Sequence, residues 1–408
     1  MLKFMEGGVC AAQGFQAAGI HVGVKTHAAW KKDVALIVSD VECAASAVFT
    51  KNVVKAAPIH VDKVHLADGK ARAIIANSGN ANACAPHGEE NAEKMCAAAA
   101  KAIGCKAEDV LVSSTGVIGQ TINIQAIEDG VPELYGALAR SAEASDAAAH
   151  AIMTTDTVKK EVAVETTVGG KTVRMGGIAK GSGMIHPNMA TMLVFLTTDA
   201  AISAEMLQKA LSGDVAGTFN MVSIDGDTST NDMVTILANG MAGNAEITCE
   251  GADFTAFMTA LNTVTVQLCR CIAGDGEGAT KLLECKVEGA KDLSTARTVA
   301  KSVICSSLLK AAMFGADANW GRVLCAIGYS GADVDVQRVD VAFKSPKGIV
   351  EVCKNGAGVP FSEEEAKAVL LEKEIEILVK LNSGDAAATA WGCDLTYDYV
   401  KINGDYRT

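Results

Sequence analysis

A layered α/β architecture is what this sequence predicts, and three observations carry the prediction. Strand-like and helix-like stretches interleave in both halves of the chain. Hydrophobic residues make up 49% of the 408 residues and charged residues 21%, enough apolar material for a large core and too little charge for disorder. Only six prolines are present and no low-complexity linker stands out, so composition places no domain boundary. A chain of this length forms two domains or one large layered unit.

The elements follow in order. Asp33 to Val38 (DVALIV) and Ala71 to Ala76 (ARAIIA) are short apolar runs of the kind that form buried strands. Asn91 to Ile103 has helical periodicity, and Asp109 to Ser113 is predicted as the strand after it. Met189 to Leu196 is an apolar run suited to a buried central strand. Thr295 to Ala312 has helical periodicity throughout. Ser362 followed by Glu365 is a capping box, predicting a helix to about Leu371. Glu374 to Leu381 and Ala387 to Leu395 are predicted to pair as a hairpin through Asn382-Ser383-Gly384-Asp385. Periodicity does not distinguish parallel from antiparallel pairing.

Charge and composition exclude some functions. A net charge of -12 argues against nucleic-acid binding, which needs a basic footprint. No run of about 18 or more apolar residues marks a membrane span, and Met1 to Gly8 lacks the apolar segment of a secretory signal. Thirteen cysteines are scattered without a C-x-x-C pair, and Cys269 and Cys271 are too close together for half of a usual zinc site. They are expected to be free thiols in a reducing cytoplasm. The seven histidines form no H-E-x-x-H or H-x-x-x-H, so no metal site is expected.

The most informative stretch is Gly176 to Thr198 (GGIAKGSGMIHPNMATMLVFLTT). It is glycine-dense, turns at His186-Pro187-Asn188, and enters the apolar run with Thr191 near its head. The glycines match neither a phosphate-binding loop nor a dinucleotide fingerprint. By spacing alone Thr191 is either an ordinary strand threonine or a nucleophile.

Motifs along nearly the whole chain resemble one family. They include Val48-Phe49-Thr50-Lys51-Asn52, Asn77-Ser78-Gly79-Asn80-Ala81-Asn82-Ala83-Cys84 and Ser114-Thr115-Gly116-Val117-Ile118-Gly119. Thr154-Thr155-Asp156-Thr157, Asp275-Gly276-Glu277-Gly278-Ala279-Thr280-Lys281, Asn319-Trp320-Gly321-Arg322 and the ending Ile402-Asn403-Gly404-Asp405-Tyr406-Arg407-Thr408 follow in order. With the segment around Thr191, the set resembles the ornithine acetyltransferases, the glutamate N-acetyltransferases of arginine biosynthesis. One departure is Ala318, where the family has proline; it touches a turn and no functional position.

The resemblance implies an α/β/β/α sandwich and an N-terminal-nucleophile enzyme that cuts itself between Ala190 and Thr191. It implies fragments 1–190 and 191–408, intertwined and paired as a heterotetramer of two each, with a C-terminal subdomain from about residue 285. Thr191 becomes the nucleophile, and Thr115 and Gly116 the oxyanion hole. Thr154, Lys180, Thr191, Glu277, Asn403 and Thr408 become substrate contacts for N-acetylornithine and glutamate. No cofactor is implied; acetyl-CoA enters as an alternative acetyl donor that some members use, and no sequence feature separates those members. A related self-cleaving aminopeptidase is the nearest rival, disfavoured because those peptidases generally use serine. An inactive metabolite-binding module is disfavoured by the intact motif set.

Overall fold

The computed structural model describes residues 2–25, 31–186 and 192–405. Among the described residues, two sheets organise the chain. The larger has nine strands, in the order Lys3–Met5, Lys160–Val168, Lys171–Lys180, Leu193–Thr198, Met233–Ala238, Val34–Phe49, Lys70–Asn80 and Val110–Val117, with Phe15–Ile20 also paired to Val34–Phe49. That long strand belongs to two layers. Its end, Ala44 to Phe49, pairs with Met233–Ala238, and its start, Val34 to Ser39, pairs with Phe15–Ile20.

Period-2 alternation decides how the layers stack. Ala35, Ile37, Ile74 and Ala76 of one layer share a core with Ile178, Leu193, Phe195 and Met233 of the other. The intervening residues face outward: Leu36, Val38 and Ile75 pack on Met95, Cys96 and Ala99 of the helix Gly88–Ile103. Val194, Leu196, Val234 and Ile236 share a core with Leu261, Val264 and Leu268 of the helix Ala252–Gly274. Helix, sheet, sheet, helix is the α/β/β/α sandwich that the resemblance implied.

The helix Ala252–Gly274 is long and apolar enough, by length and composition, to cross a membrane. Phe257, Leu261, Val264, Leu268 and Ile272 on it are fully buried, and it touches both sheets, so packing inside the protein accounts for its apolar face. The second sheet runs Ala357–Gly358, Gly348–Lys354, Asp340–Ser345, Glu374–Lys380, Leu282–Ala290, Ala386–Cys393 and Val222–Ser223. The helix Leu293–Cys305 covers it with Ala296, Val299, Ala300 and Val303.

Apart from the corrections below, the predicted strands and helices fall where expected, with shifted bounds; of the run Met189 to Leu196, the strand is Leu193–Thr198, and Met189 to Thr191 lie outside the described residues. Asp33 to Val38 lies within Val34–Phe49 except at its first residue, Asn91 to Ile103 lies within Gly88–Ile103, and the Ser362 cap accepts the Glu365 amide at 3.2 Å. Two expectations are corrected. Glu374–Lys380 and Ala386–Cys393 do not pair with each other; they flank Leu282–Ala290, the first parallel to it and the second antiparallel. The connection instead steps over the end of that strand, with the Leu381 and Ser383 amides donating to the carbonyls of Glu288 and Gly289 at 2.9 and 2.7 Å. Gly384 permits the crossing: a Cβ there would lie 2.5 Å from the Ala290 carbonyl oxygen. The helix expected over Thr295 to Ala312 is two, Leu293–Cys305 and Ser307–Phe314. Ser306 leaves the helical region (ψ 107°) and its hydroxyl caps the second helix at the Leu309 amide, 3.3 Å away. All thirteen cysteines are free.

Phe195 is fully buried between the two β layers. Phe195→Ala is expected to cost about 3–5 kcal/mol of stability, read as a lower midpoint of urea unfolding; an unchanged midpoint would remove Phe195 from the core.

Candidate active site

Leu193–Thr198 is buried at every position and held on both edges, antiparallel to Lys171–Lys180 and parallel to Met233–Ala238. At its start the Met233 amide donates to the Met192 carbonyl at 2.9 Å. A cavity of about 260 Å³ opens at this end of the strand pair, lined by Met192 and Leu193. Around it stand Thr115, Gly116, Thr154, Lys180, Glu277 and Asn403, brought from widely separated parts of the chain. Ala190, Thr191 and Thr408 lie outside the described residues, as does the turn at Pro187 and Asn188.

Thr115 and Gly116 end the strand Val110–Val117. Its parallel partner Lys70–Asn80 loses register there: Asn80 lies opposite both Thr115 and Val117. Such an irregularity re-aims backbone and side chains locally. Gly116 has φ 129°, and a Cβ on it would lie 2.5 Å from the Gly79 carbonyl carbon and 2.7 Å from the Asn80 nitrogen. No other residue fits without moving the turn.

Lys180 ends its strand as a buried cation facing the cavity. Burial pushes its pKa down; the Asp156 carboxylate opposes that, the Lys160 ammonium reinforces it, and Asp232 and Glu277 favour the charged form. Behind it lies a buried ion network. The Lys160 ammonium contacts Asp156 and Asp275 at 2.6 Å each. Asp156 also accepts the amides of Thr154 at 3.0 Å and Gly181 at 2.7 Å. Burial raises the Asp156 carboxyl, but Lys160 and Lys180 hold it below the usual carboxylate range. Asp275 accepts the Thr157 hydroxyl and amide. Thr154 and Lys180 therefore share one electrostatic mount.

Glu277 follows the helix Ala252–Gly274 in a glycine-rich turn, with its amide bonded to the Ser182 carbonyl at 2.9 Å. Its carboxylate accepts the Asn403 side-chain amide at 2.8 Å, which docks the last helix, Tyr397–Asp405, on the cavity. Among the described residues, no group of three or more His, Cys, Asp or Glu side chains is placed to hold a metal ion.

Sequence reasoning did not reach three further features. Asn231 lines the cavity and its side chain donates to the Ser114 carbonyl at 2.8 Å and the Ala81 carbonyl at 2.5 Å. The signal was a polar run, Ser229 to Asp232, before the apolar strand Met233–Ala238, the same arrangement that marked the segment before Leu193. Asp225 accepts the Met184 and Ile185 amides at 2.6 and 2.8 Å. His186 is fixed at its carbonyl by the Thr228 hydroxyl, 2.7 Å away, and at Nδ1 by contact with Ser223 Oγ at 3.0 Å. Burial, reinforced by Lys301, lowers the His186 pKa to about 4.

The fold and the assembled cavity define an α/β protein with a small polar site at the head of a central strand. The family model for the ArgJ family matches residues 16–408, and the chain belongs to that family. It is 51% identical over 408 residues to the arginine biosynthesis bifunctional protein ArgJ of Symbiobacterium thermophilum, covering all of both chains. The same identity and coverage hold for the protein of that name in Caldanaerobacter subterraneus subsp. tengcongensis. Among solved structures, the arginine biosynthesis bifunctional protein ArgJ of Bacillus halodurans is 47% identical, with a TM-score of 0.49; the alignment covers 52% of this chain and 98% of that one.

His186 contributes an acid-side pH dependence. Between its folded pKa of about 4 and its ordinary value of 6.5 the unfolded chain binds more protons, so stability falls as pH drops through that window. His186→Gln is expected to flatten that part of the stability–pH curve; a slope equal to wild type would assign the acid loss to other groups.

Proposed function

We propose that this chain is a glutamate N-acetyltransferase of arginine biosynthesis that moves acetyl from N2-acetylornithine to glutamate through an acetyl-Thr191 ester. One observation carries the reading: the cavity at the head of the Leu193–Thr198 strand collects Thr115, Gly116, Thr154, Lys180, Glu277 and Asn403, the positions that the family resemblance singled out. The relatives' designation as arginine biosynthesis proteins supports the pathway. Their designation as bifunctional supports acetyl-CoA as a second acetyl donor.

Self-cleavage comes first, because a threonine hydroxyl needs a base. While Ala190 is attached, the Thr191 nitrogen is an amide. Thr191 Oγ attacks the Ala190 carbonyl, the C–N bond breaks, and the acyl group shifts to oxygen; water then hydrolyses that ester, leaving an Ala190 carboxylate and a Thr191 amine. Such an amine has a pKa of about 7.7–8.0 and accepts the hydroxyl proton near neutrality. In turnover, Thr191 Oγ attacks the acetyl carbonyl of N-acetylornithine. Ornithine leaves with that proton, and the glutamate amine attacks the ester to release N-acetylglutamate and restore the hydroxyl. The Thr115 hydroxyl and Gly116 N–H stabilise the oxyanion in each step.

Lys180 receives the substrate carboxylate, and Glu277, steadied by Asn403, receives the ornithine side-chain ammonium. Thr154 and Thr408 complete the contacts. Fragments 1–190 and 191–408 remain together because Leu193–Thr198 lies in the sheet beside Lys171–Lys180, and Met233–Ala238 beside Val34–Phe49. Two such pairs form a heterotetramer in the cytoplasm, and the strands of the second sheet from Leu282 onward belong to the C-terminal subdomain.

Purified protein is expected to give two masses, for 1–190 and 191–408, and Thr191→Ala a single inactive chain; one intact mass for fully active wild type would sink the mechanism. Glu277→Gln removes one charge-assisted contact of about 1.5–3 kcal/mol. Its KM for N-acetylornithine should rise roughly 10- to 100-fold; steady-state kinetics with an unchanged KM would take Glu277 out of substrate binding.

A further inference from the structure

We infer that Asn231 is a positioning residue that fixes the separation between the oxyanion turn and the strand that carries the reaction. The inference rests on the acyl-transfer reading above and deepens it. Thr115 and Gly116 stand on Val110–Val117, whereas the strand that opens two residues after Thr191 is Leu193–Thr198. These strands are not neighbours. Between them in the sheet lie Met233–Ala238, Val34–Phe49 and Lys70–Asn80, the last of which slips register beside Gly116. Ladder hydrogen bonds therefore hold the two catalytic edges only through a chain of strands with an irregularity at its end.

Asn231 spans that gap directly. Its side chain donates to the Ser114 carbonyl at 2.8 Å, one residue before Thr115, and to the Ala81 carbonyl at 2.5 Å. Ala81 in turn donates its amide to the Val117 carbonyl at 2.8 Å, so both bonds grip the oxyanion turn. On the other side, Asn231 lies two residues before Met233, whose amide holds the Met192 carbonyl at 2.9 Å. The carboxamide orientation is over-determined. A carboxamide has two N–H donors and one acceptor oxygen; the donors meet two carbonyls, and the oxygen accepts the Thr230 hydroxyl at 2.5 Å. The residue is 5% exposed, so these bonds form away from competing water. No substrate contact is needed for this role.

Asn231→Asp keeps the size and loses both donors. A displacement near 1 Å at a reacting centre costs on the order of 100-fold in rate, so acetylation by N-acetylornithine and discharge to glutamate should both slow by about that factor. Because the oxyanion turn serves both half-reactions, the two factors should agree, and the KM for each substrate should stay within about twofold of wild type. Single-turnover mass spectrometry, scored per cleaved molecule, reads both steps. Thr230→Val, which removes only the hydroxyl that orients the carboxamide, should show a smaller loss of the same kind, and it carries the test if Asn231→Asp does not fold or cut itself. Unchanged rates in either usable variant, loss in only one half-reaction, or a change confined to KM overturns the inference. A wild type that forms no acetyl-enzyme overturns the acyl-transfer reading instead.

Discussion

The burial of Leu193–Thr198 on both faces and its pairing on both edges is the constraint on which the rest depends. A strand held this way cannot slip, because a one-residue shift would turn Phe195 and Leu193 out of one core and Val194 and Leu196 out of the other. The residues at its head inherit that precision. Met192 is fixed by Met233, and the polar run before Met233 is fixed with it. Met192, just ahead of this strand, is positioned through the two hydrophobic cores that hold Leu193–Thr198.

The same constraint explains how fragments cut at 190/191 could remain one molecule. The cut would fall between neighbouring antiparallel strands, Lys171–Lys180 and Leu193–Thr198, so each new terminus would stay anchored by a ladder. Asp225, Thr228 and Ser223 grip the chain from Met184 to His186 as well. The described chain on either side, up to His186 and from Met192, is thus held in place, and an intramolecular attack between them would gain from that.

What the sequence reveals is set by the range of the forces involved. Apolar runs such as DVALIV and helix signals such as Ser362 with Glu365 depend on neighbours in the chain, and those elements form as expected. The hairpin expected at Asn382 to Asp385 fails because a turn signal cannot register a third strand; Leu282–Ala290, nearly a hundred residues earlier, takes the central place. Ser306 breaks a helix whose periodicity runs through the break, since a serine reads equally as helix interior or cap. In the site, the residues tied to motifs were legible one by one. Asn231 and Asp156 were not assigned, because their work is to join segments distant in sequence, and one chain contains no sign of which carbonyl a buried amide will meet.

On the proposed reading, charge balance bears on which ligand the cavity takes. Lys180 faces Asp232 and Glu277 across a small volume, with Asp156, Asp275 and Lys160 behind. Counted as ionised, Lys160 and Lys180 stand against the four carboxylates of Asp156, Asp275, Asp232 and Glu277, so the group as a whole has an excess of negative charge. A ligand carrying a carboxylate and a distant ammonium is itself neutral and leaves that excess unchanged, whereas one with carboxylates alone adds to it. On the proposed reading, N-acetylornithine is such a ligand and glutamate is not. Glutamate brings its amine as the attacking group, so its own neutralised nitrogen gives the site no positive charge in return. On that reading the donor suits the free cavity better than the acceptor, and an acyl-enzyme between the two half-reactions would let one cavity serve both.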